Sequence, residues 1–150
     1  MHREVQFVRA VGASYVDVRD VLRDRAQGVL GLAGEPLRLV LVTGIGSTHI
    51  ARDVAAVIEG FSEVGKECRL SFSGDTALHP DLSAHFAATI DAVPISDVRT
   101  AVFLRTGYEP PLGPIGGALD SLGLHRLFAQ ALEEWFDGFA RRLGEALHAG

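Results

Sequence analysis

The C-terminal part of the chain contains the feature that most restricts its fold. From residue 124 onward, apolar side chains recur every three or four residues, and charged residues occupy much of the remaining positions. This spacing is that of an amphipathic α-helix with one wide, aromatic apolar face. The apolar positions are Leu124, Phe128, Leu132, Trp135, Phe136, Phe139, Leu143 and Leu147. We therefore predict a long helix that begins near Asp120 and packs against a large apolar surface.

The middle of the chain is expected to supply that surface as a sheet. Between residues 37 and 108, apolar and polar residues alternate in short runs, which is typical of half-buried strands. The predicted inward positions include Cys68, Leu70, Phe72, Phe86, Ala88, Ile90, Ala92, Val102 and Leu104. Turns are expected at 65–66 and 94–97, a longer connection at 77–83, and a strand end near Gly60. Short connections without helices predict an antiparallel meander of about six or seven strands.

The N-terminal region adds one strand and a short helical region. Residues 5–11 suit a strand, and Ser14 suits the N-cap of a helix in which Tyr15, Val18 and Leu22 share a face. Three prolines and three glycines in residues 109–117 indicate an irregular loop before the last helix. The whole pattern predicts a single α+β domain over residues 1–150, with a curved antiparallel sheet wrapped around a long C-terminal helix.

Composition excludes several classes of function. The net charge is -5 without a basic cluster, so we expect no nucleic-acid partner. Cys68 is the single cysteine, so an internal disulfide is not possible, in agreement with a reducing compartment. The N-terminus shows no signal peptide, and the longest uncharged stretch, residues 39–51, is too short to span a membrane. We expect a cytoplasmic globular protein, and a homodimer stays open.

The order of elements and three local phrases resemble the START-like, or SRPBCC, helix-grip superfamily. The phrases are residues 40–47 (Val-Leu-Val-Thr-Gly-Ile-Gly-Ser), residues 51–54 (Ala-Arg-Asp-Val) and residues 107–113 (Gly-Tyr-Glu-Pro-Pro-Leu-Gly). They resemble a bacterial subgroup of that superfamily that has no assigned function. The resemblance implies a cavity between the sheet and the last helix that holds a hydrophobic molecule. No catalytic residue is common to the superfamily, so the resemblance implies none here.

The predicted function is therefore binding of a small hydrophobic ligand, such as a lipid or polyketide. The alternative is a polyketide cyclase or aromatase, and a filled core with a protein partner is a third interpretation. Phe72, Phe86, Phe128 and Trp135 are the aromatic candidates for the lining, although aromatic residues at such spacing usually form core.

Arg52 and Tyr108 are the candidate polar groups of the site. Arg52 interrupts an apolar strand, and it faces inward if Val54 and Ala56 do, because side chains alternate along a strand. A buried guanidinium then needs an anionic partner from the protein or the ligand. A bulge that lets Arg52 reach solvent is the alternative. Tyr108 shares the parity of Leu104, so its hydroxyl suits either a ligand or a core hydrogen bond.

Motifs for other chemistry are weak. Residues 44–47 lack the lysine and the third glycine of nucleotide-binding loops, so we interpret them as a strand turn. His79, Asp81 and His85 contain zinc-binding residue types but flank Pro80, which favours a solvated turn. We therefore predict no metal and no cofactor. Catalytic residues stay unknown: Asp53 or a histidine could act with Arg52 and Tyr108 in enolate chemistry, but no motif marks them.

Overall fold

A computed structural model describes residues 3–30, 37–45, 48–79, 82–108 and 121–149. The elements in chain order are β1 (Arg3–Val11), α1 (Tyr15–Asp24), α2 (Ala26–Val29), β2 (Leu37–Ile45), β3 (Thr48–Val64), β4 (Glu67–His79), β5 (Leu82–Ser96), β6 (Arg99–Tyr108) and α3 (Ser121–Ala149). The predicted loop over 109–117 lies outside the described residues. Among the helices of the described residues, none has the length and hydropathy needed to cross a membrane.

The strands form one antiparallel sheet of six in the order β1-β6-β5-β4-β3-β2. Strands β2 to β6 follow one another as a meander, and β1 adds to the far edge by pairing with β6. Helix α3 lies against β1 and β2, which are the two opposite edges of the sheet. The sheet must curve around the helix to bring both edges to it. This arrangement confirms the predicted α+β helix-grip fold.

The concave face of the sheet and one face of α3 form the core. The inward positions named above from Cys68 to Leu104 on β4, β5 and β6 are all buried. Among the α3 residues whose side chains the structure describes, the buried ones are Leu132, Trp135, Phe136, Phe139 and Leu143. The intervening residues Arg69, Ala87 and Arg105 are exposed on the convex face. Alternating burial follows from the period of two along a strand, since one face meets protein and the other meets water.

The first helix begins as predicted. Ser14 is its N-cap, and the Ser14 hydroxyl oxygen accepts a hydrogen bond of 3.3 Å from the backbone N–H of Asp17. Such a bond satisfies one of the amides that the first helical turn leaves without a partner. Helix α1 buries Tyr15, Val18 and Leu22 against the rest of the core.

Two predicted connections were wrong, because the strands are longer than the turn signals suggested. In place of a long connection at 77–83, β4 continues to His79 and β5 begins at Leu82. In place of a turn at 94–97, β5 continues to Ser96, and the turn lies at 97–98. The register shifts between Pro94 and Ser96. Proline has no N–H to donate, and a bulge lets it remain inside a strand.

Strand β3 also passes the predicted end at Gly60 and continues to Val64. A register shift between Ile58 and Gly60 inserts one extra residue, which is a β-bulge. Before the bulge, even-numbered Ala56 is buried. After it, odd-numbered Phe61 and Glu63 are paired with the inward residues Leu70 and Cys68. The bulge therefore moves Glu63 to the concave side of the sheet, where α1 lies.

Candidate functional site

An aromatic cluster lies between the centre of the sheet and α3. The ring centroid of Phe72 is 5.8 Å from that of Trp135 in a tilted contact, and 6.3 Å from that of Phe86 in an edge contact. Trp135 also stacks on Phe139 at 5.8 Å. Such offset and edge arrangements are the favoured ones for aromatic pairs. We call Phe72, Phe86, Trp135 and Phe139 the aromatic cluster.

Small residues lie beside these rings on the sheet. Phe72 of β4 is paired with Ala88, and Phe86 of β5 is paired with Gly74. Trp135 and Phe139 are one turn apart on α3, which puts both on the face toward the sheet. Each ring on the sheet thus has a neighbour with at most one methyl group. On the other side, Phe72 is paired with Ile58 of β3, and Phe86 is paired with Tyr108 of β6.

Three of the predicted site residues are thus brought together by the structure. Phe72, Phe86 and Trp135 belong to one cluster, and their side chains are almost fully covered by protein. Their role toward a ligand stays a prediction. The side chains of Arg52, Tyr108 and Phe128 lie outside the described part of the structure. Their backbones place Arg52 opposite Leu41 and Tyr108 opposite Phe86.

Sequence reasoning missed two polar atoms near the aromatic cluster. The hydroxyl of Thr106 and the indole N–H of Trp135 are buried and have no hydrogen-bond partner. Thr106 is on β6 with the same parity as Val102 and Leu104, which are also buried. That parity was the available signal, because a threonine on an otherwise apolar inward row has to bury its hydroxyl.

A polar cluster lies apart from the aromatic cluster, where α1 covers the β3–β4 hairpin. The hydroxyl of Tyr15 donates a 2.7 Å hydrogen bond to the carboxylate of Glu63, which also accepts a 3.4 Å contact from Arg19. Burial, and then this bond to Glu63, raises the pKa of Tyr15. The bond from Tyr15 lowers the pKa of Glu63, with Arg19 adding to the effect. Burial raises the pKa of Cys68, so its thiol is neutral.

The convex face of the sheet contains a groove of about 610 Å³. Its lining includes Arg69, Asp91, Phe103 and Arg105. The two charged groups at its centre neutralise each other, since the guanidinium of Arg69 makes two hydrogen bonds of 2.8 and 3.0 Å to Asp91. A fork-to-fork pair of this kind leaves little unsatisfied charge for a ligand. We therefore take the aromatic cluster as the candidate site.

Within the described residues, no group of three or more histidine, cysteine, aspartate or glutamate side chains is arranged to hold a metal ion. Of the sequence triplet considered for zinc, Asp81 lies outside the described residues. His85 is exposed on β5.

No protein-family model matches the sequence, and no curated protein matches it. Solved structures do match its fold. A conserved protein from Geobacillus kaustophilus has a TM-score of 0.58 at 17% identity, covering 96% of this chain and 97% of the other. The Zhui aromatase/cyclase from Streptomyces sp. R1128 has a TM-score of 0.54 at 18% identity, covering 97% and 94%. Norcoclaurine synthase from Thalictrum flavum has a TM-score of 0.51 at 14% identity, covering 99% and 88%.

These likenesses extend over nearly the whole chain, and they agree with the observed sheet order and the enclosed helix. The chain is an α+β protein whose interior lies between a curved antiparallel sheet and one long helix. It has a helix-grip fold. At these identities the likeness shows the fold and leaves the activity to be argued from the site.

Proposed function

We propose that this protein binds a small hydrophobic ligand, a lipid, polyketide or similar molecule, between the concave face of the sheet and α3. The observation that carries the proposal is the contact of Phe72 with both Phe86 and Trp135. Two strands and the enclosed helix thus present aromatic faces to one another at the centre of the fold. Aromatic and apolar linings with a few polar groups are typical of small-molecule sites. The likeness to helix-grip proteins supports the same location.

The proposal includes Arg52, Tyr108 and Phe128 as further ligand contacts. Arg52 precedes the buried Ala56 by four residues on β3, and residues an even number apart on a regular strand share a face. Tyr108 is paired with Phe86 across β5 and β6, at the end of the last strand. Phe128 precedes Trp135 by two helical turns on α3. In this proposal Arg52 holds an anionic group of the ligand, and Tyr108 orients a polar one.

Binding without catalysis is the form of the proposal that the described residues favour. A cyclase or aromatase needs an acid or base positioned at the reacting carbon. Among the described residues, the buried ionisable side chains are Tyr15 and Cys68. Both have a raised pKa, and Tyr15 is already bonded to Glu63. Neither is suited to move a proton at neutral pH.

We further propose a cytoplasmic location, with which the free, buried thiol of Cys68 is compatible. A homodimer remains a prediction.

Trp135 is the single tryptophan of the chain, and its fluorescence therefore reports on this site alone. We would titrate the neutral apolar probe N-phenyl-1-naphthylamine into the protein and follow quenching of the indole emission. The proposal predicts saturable quenching. Replacing Phe72 by Leu should weaken binding by about fivefold, since a specific aromatic contact contributes about 1 kcal/mol.

The matched control is Phe103→Leu, because Phe103 is half-buried on the opposite, convex face. It should leave the affinity for the probe unchanged. The proposal would be wrong if the probe failed to quench Trp135, or if Phe103→Leu weakened binding while Phe72→Leu did not. In a separate incubation of the protein with a polyketide-like ligand, conversion of that ligand to a new product would support the cyclase alternative instead.

A further inference from the structure

Two unpaired polar atoms lie on the two sides of the interior where we propose that the ligand binds. The hydroxyl oxygen of Thr106 belongs to the sheet, and the indole nitrogen of Trp135 belongs to α3. Thr106 is 0% exposed and Trp135 is 6% exposed, and bulk solvent does not reach either polar atom. Buried polar atoms are nearly always hydrogen-bonded in folded proteins, because burying one without a partner lowers stability. Each of these two atoms therefore needs an explanation.

The strand register places both atoms in the same part of the interior. Thr106 is paired with Ala88, and Ala88 is paired with Phe72, so the three form one row across β6, β5 and β4. With strands about 4.8 Å apart, the Cα atoms of Thr106 and Phe72 are about 10 Å apart. The ring of Phe72 in turn contacts Trp135. Ala88, with a single methyl group, is the only side chain between Thr106 and Phe72 in this row.

Thr100, a second threonine of β6, provides a comparison, because its buried hydroxyl has a structural hydrogen bond. Thr100 is also 0% exposed, and its hydroxyl donates a 2.9 Å hydrogen bond to the backbone carbonyl of Ala13. Thr106 has no such bond. A valine would fill the space of Thr106 without burying an unpaired oxygen. Packing alone therefore does not account for a hydroxyl at position 106.

The chemistry of the two groups defines what they would recognise. An indole N–H only donates a hydrogen bond, while a threonine hydroxyl both donates and accepts. Both groups are neutral, so they can satisfy a neutral oxygen fully, whereas they would leave the charge of a buried carboxylate or phosphate without a counter-charge. We propose that Thr106 and Trp135 are the specificity groups of the site, and that they select apolar ligands that carry a carbonyl or hydroxyl oxygen. This inference rests on the proposed function, and these anchors are distinct from Arg52.

Because protein covers both atoms, a ligand must uncover them in order to bind there. On the helix side, the ring of Trp135 packs on Phe72 and Phe139. Entry of a ligand between α3 and the sheet would separate these rings. The hydrogen bonds to the ligand oxygen would then compensate for the lost ring contacts, whereas a hydrocarbon of the same shape would offer no such compensation.

The test compares two neutral probes of nearly the same shape, 2-acetylnaphthalene and 2-isopropenylnaphthalene. The first has a carbonyl oxygen where the second has a methylene group. Equilibrium dialysis measures the affinity of each for the wild-type protein and for Thr106→Val, Trp135→Phe and the matched control Thr100→Val. We expect wild type and Thr100→Val to prefer the ketone by about tenfold, the ratio expected for one or two net hydrogen bonds. Thr106→Val and Trp135→Phe should each reduce this preference severalfold.

Thr106→Ser serves as the rescue variant, because it keeps the hydroxyl and should keep the preference. The stability of each variant is measured by thermal melting. Thr106→Val should be at least as stable as wild type, because the substitution removes an unpaired buried oxygen. If wild type binds both probes equally, or if Thr106→Val and Trp135→Phe leave the ratio unchanged, this inference is wrong while the proposed function stands. If wild type binds neither probe, the proposed function itself fails and the inference fails with it.

Discussion

The hydroxyl of Tyr15 in α1 donates a 2.7 Å hydrogen bond to the carboxylate of Glu63 in β3, which is 48 residues away in sequence. The bond joins the first helix to the hairpin of β3 and β4. It depends on the bulge between Ile58 and Gly60, because an uninterrupted strand would turn Glu63 toward the convex face. A local irregularity in one strand thus fixes where the helix covers the sheet.

Replacing Glu63 by Gln should lower the thermal stability at neutral pH and have a smaller effect in acid. The bond from Tyr15, with help from Arg19, lowers the pKa of Glu63 in the folded protein. The ionised carboxylate therefore stabilises the fold fully above the ordinary glutamate pKa of about 4.3, and this contribution disappears as the pH falls through the lowered folded value. Melting curves of both proteins across this range measure the difference. If the difference in melting temperature between the two proteins grew toward acid pH, this assignment would be contradicted.

Replacing Ser14 by Ala should lower the free energy of unfolding by about 1 kcal/mol, the usual contribution of a side-chain N-cap. The reason is loss of the hydrogen bond that the Ser14 hydroxyl accepts from the Asp17 amide. Denaturant titration measures the change. Ser14→Asp provides the control, since a carboxylate can accept the same bond and should preserve stability. Equal losses in both variants would show that the cap bond is not the cause.

Replacing Trp135 by Ala should lower the free energy of unfolding by about 3–5 kcal/mol, as for a fully packed aromatic residue. Only 6% of Trp135 is exposed, and its ring contacts both Phe72 and Phe139. Phe103→Ala removes a ring on the convex face that is only half-buried. It should therefore lower the free energy of unfolding by less than Trp135→Ala does. A loss below about 1 kcal/mol at Trp135, measured by denaturant titration, would mean that the indole borders open space.

Replacing Arg52 by Met keeps the length of the side chain and removes its charge. If Arg52 anchors the ligand as proposed, the change should weaken binding of laurate by about 2–5 kcal/mol, the range for breaking a buried charge pair. Binding of the neutral 1-dodecanol should hardly change, and calorimetric titration with both measures the selectivity. Loss of folding stability without this selectivity would indicate that Arg52 pairs with a protein carboxylate. An Arg52 side chain on the convex face would overturn the proposal.

Alternation of apolar and polar residues was enough to predict which apolar side chains β4, β5 and β6 bury. A strand with one buried face has only one register that keeps Leu70, Ile90 and Leu104 inside. Periodicity also identified α3, because its apolar face is continuous from Leu132 to Leu143.

Bulges are the feature that the sequence pattern did not reveal. Gly60 and Pro94 are turn-forming residues, and both lie instead at register shifts within long strands. A glycine or proline marks a position where the backbone departs from a regular strand. Pairing with the neighbouring strand then decides whether the chain turns there or continues past a bulge. The Tyr15–Glu63 bond depends on that pairing and was not predicted, whereas the burial of Thr106 could have been read from its parity with Leu104.

The most direct test of the central claim is the indole N–H resonance of Trp135 in a ¹H–¹⁵N correlation spectrum. The chain has one tryptophan, so this signal is unique and reports on the space between Phe72 and α3. Adding 2-acetylnaphthalene to the labelled protein should shift the indole signal in step with binding, while the backbone amide of Phe103 on the convex sheet face stays in place. A probe that binds and shifts Phe103, but leaves the Trp135 indole unchanged, would contradict the account.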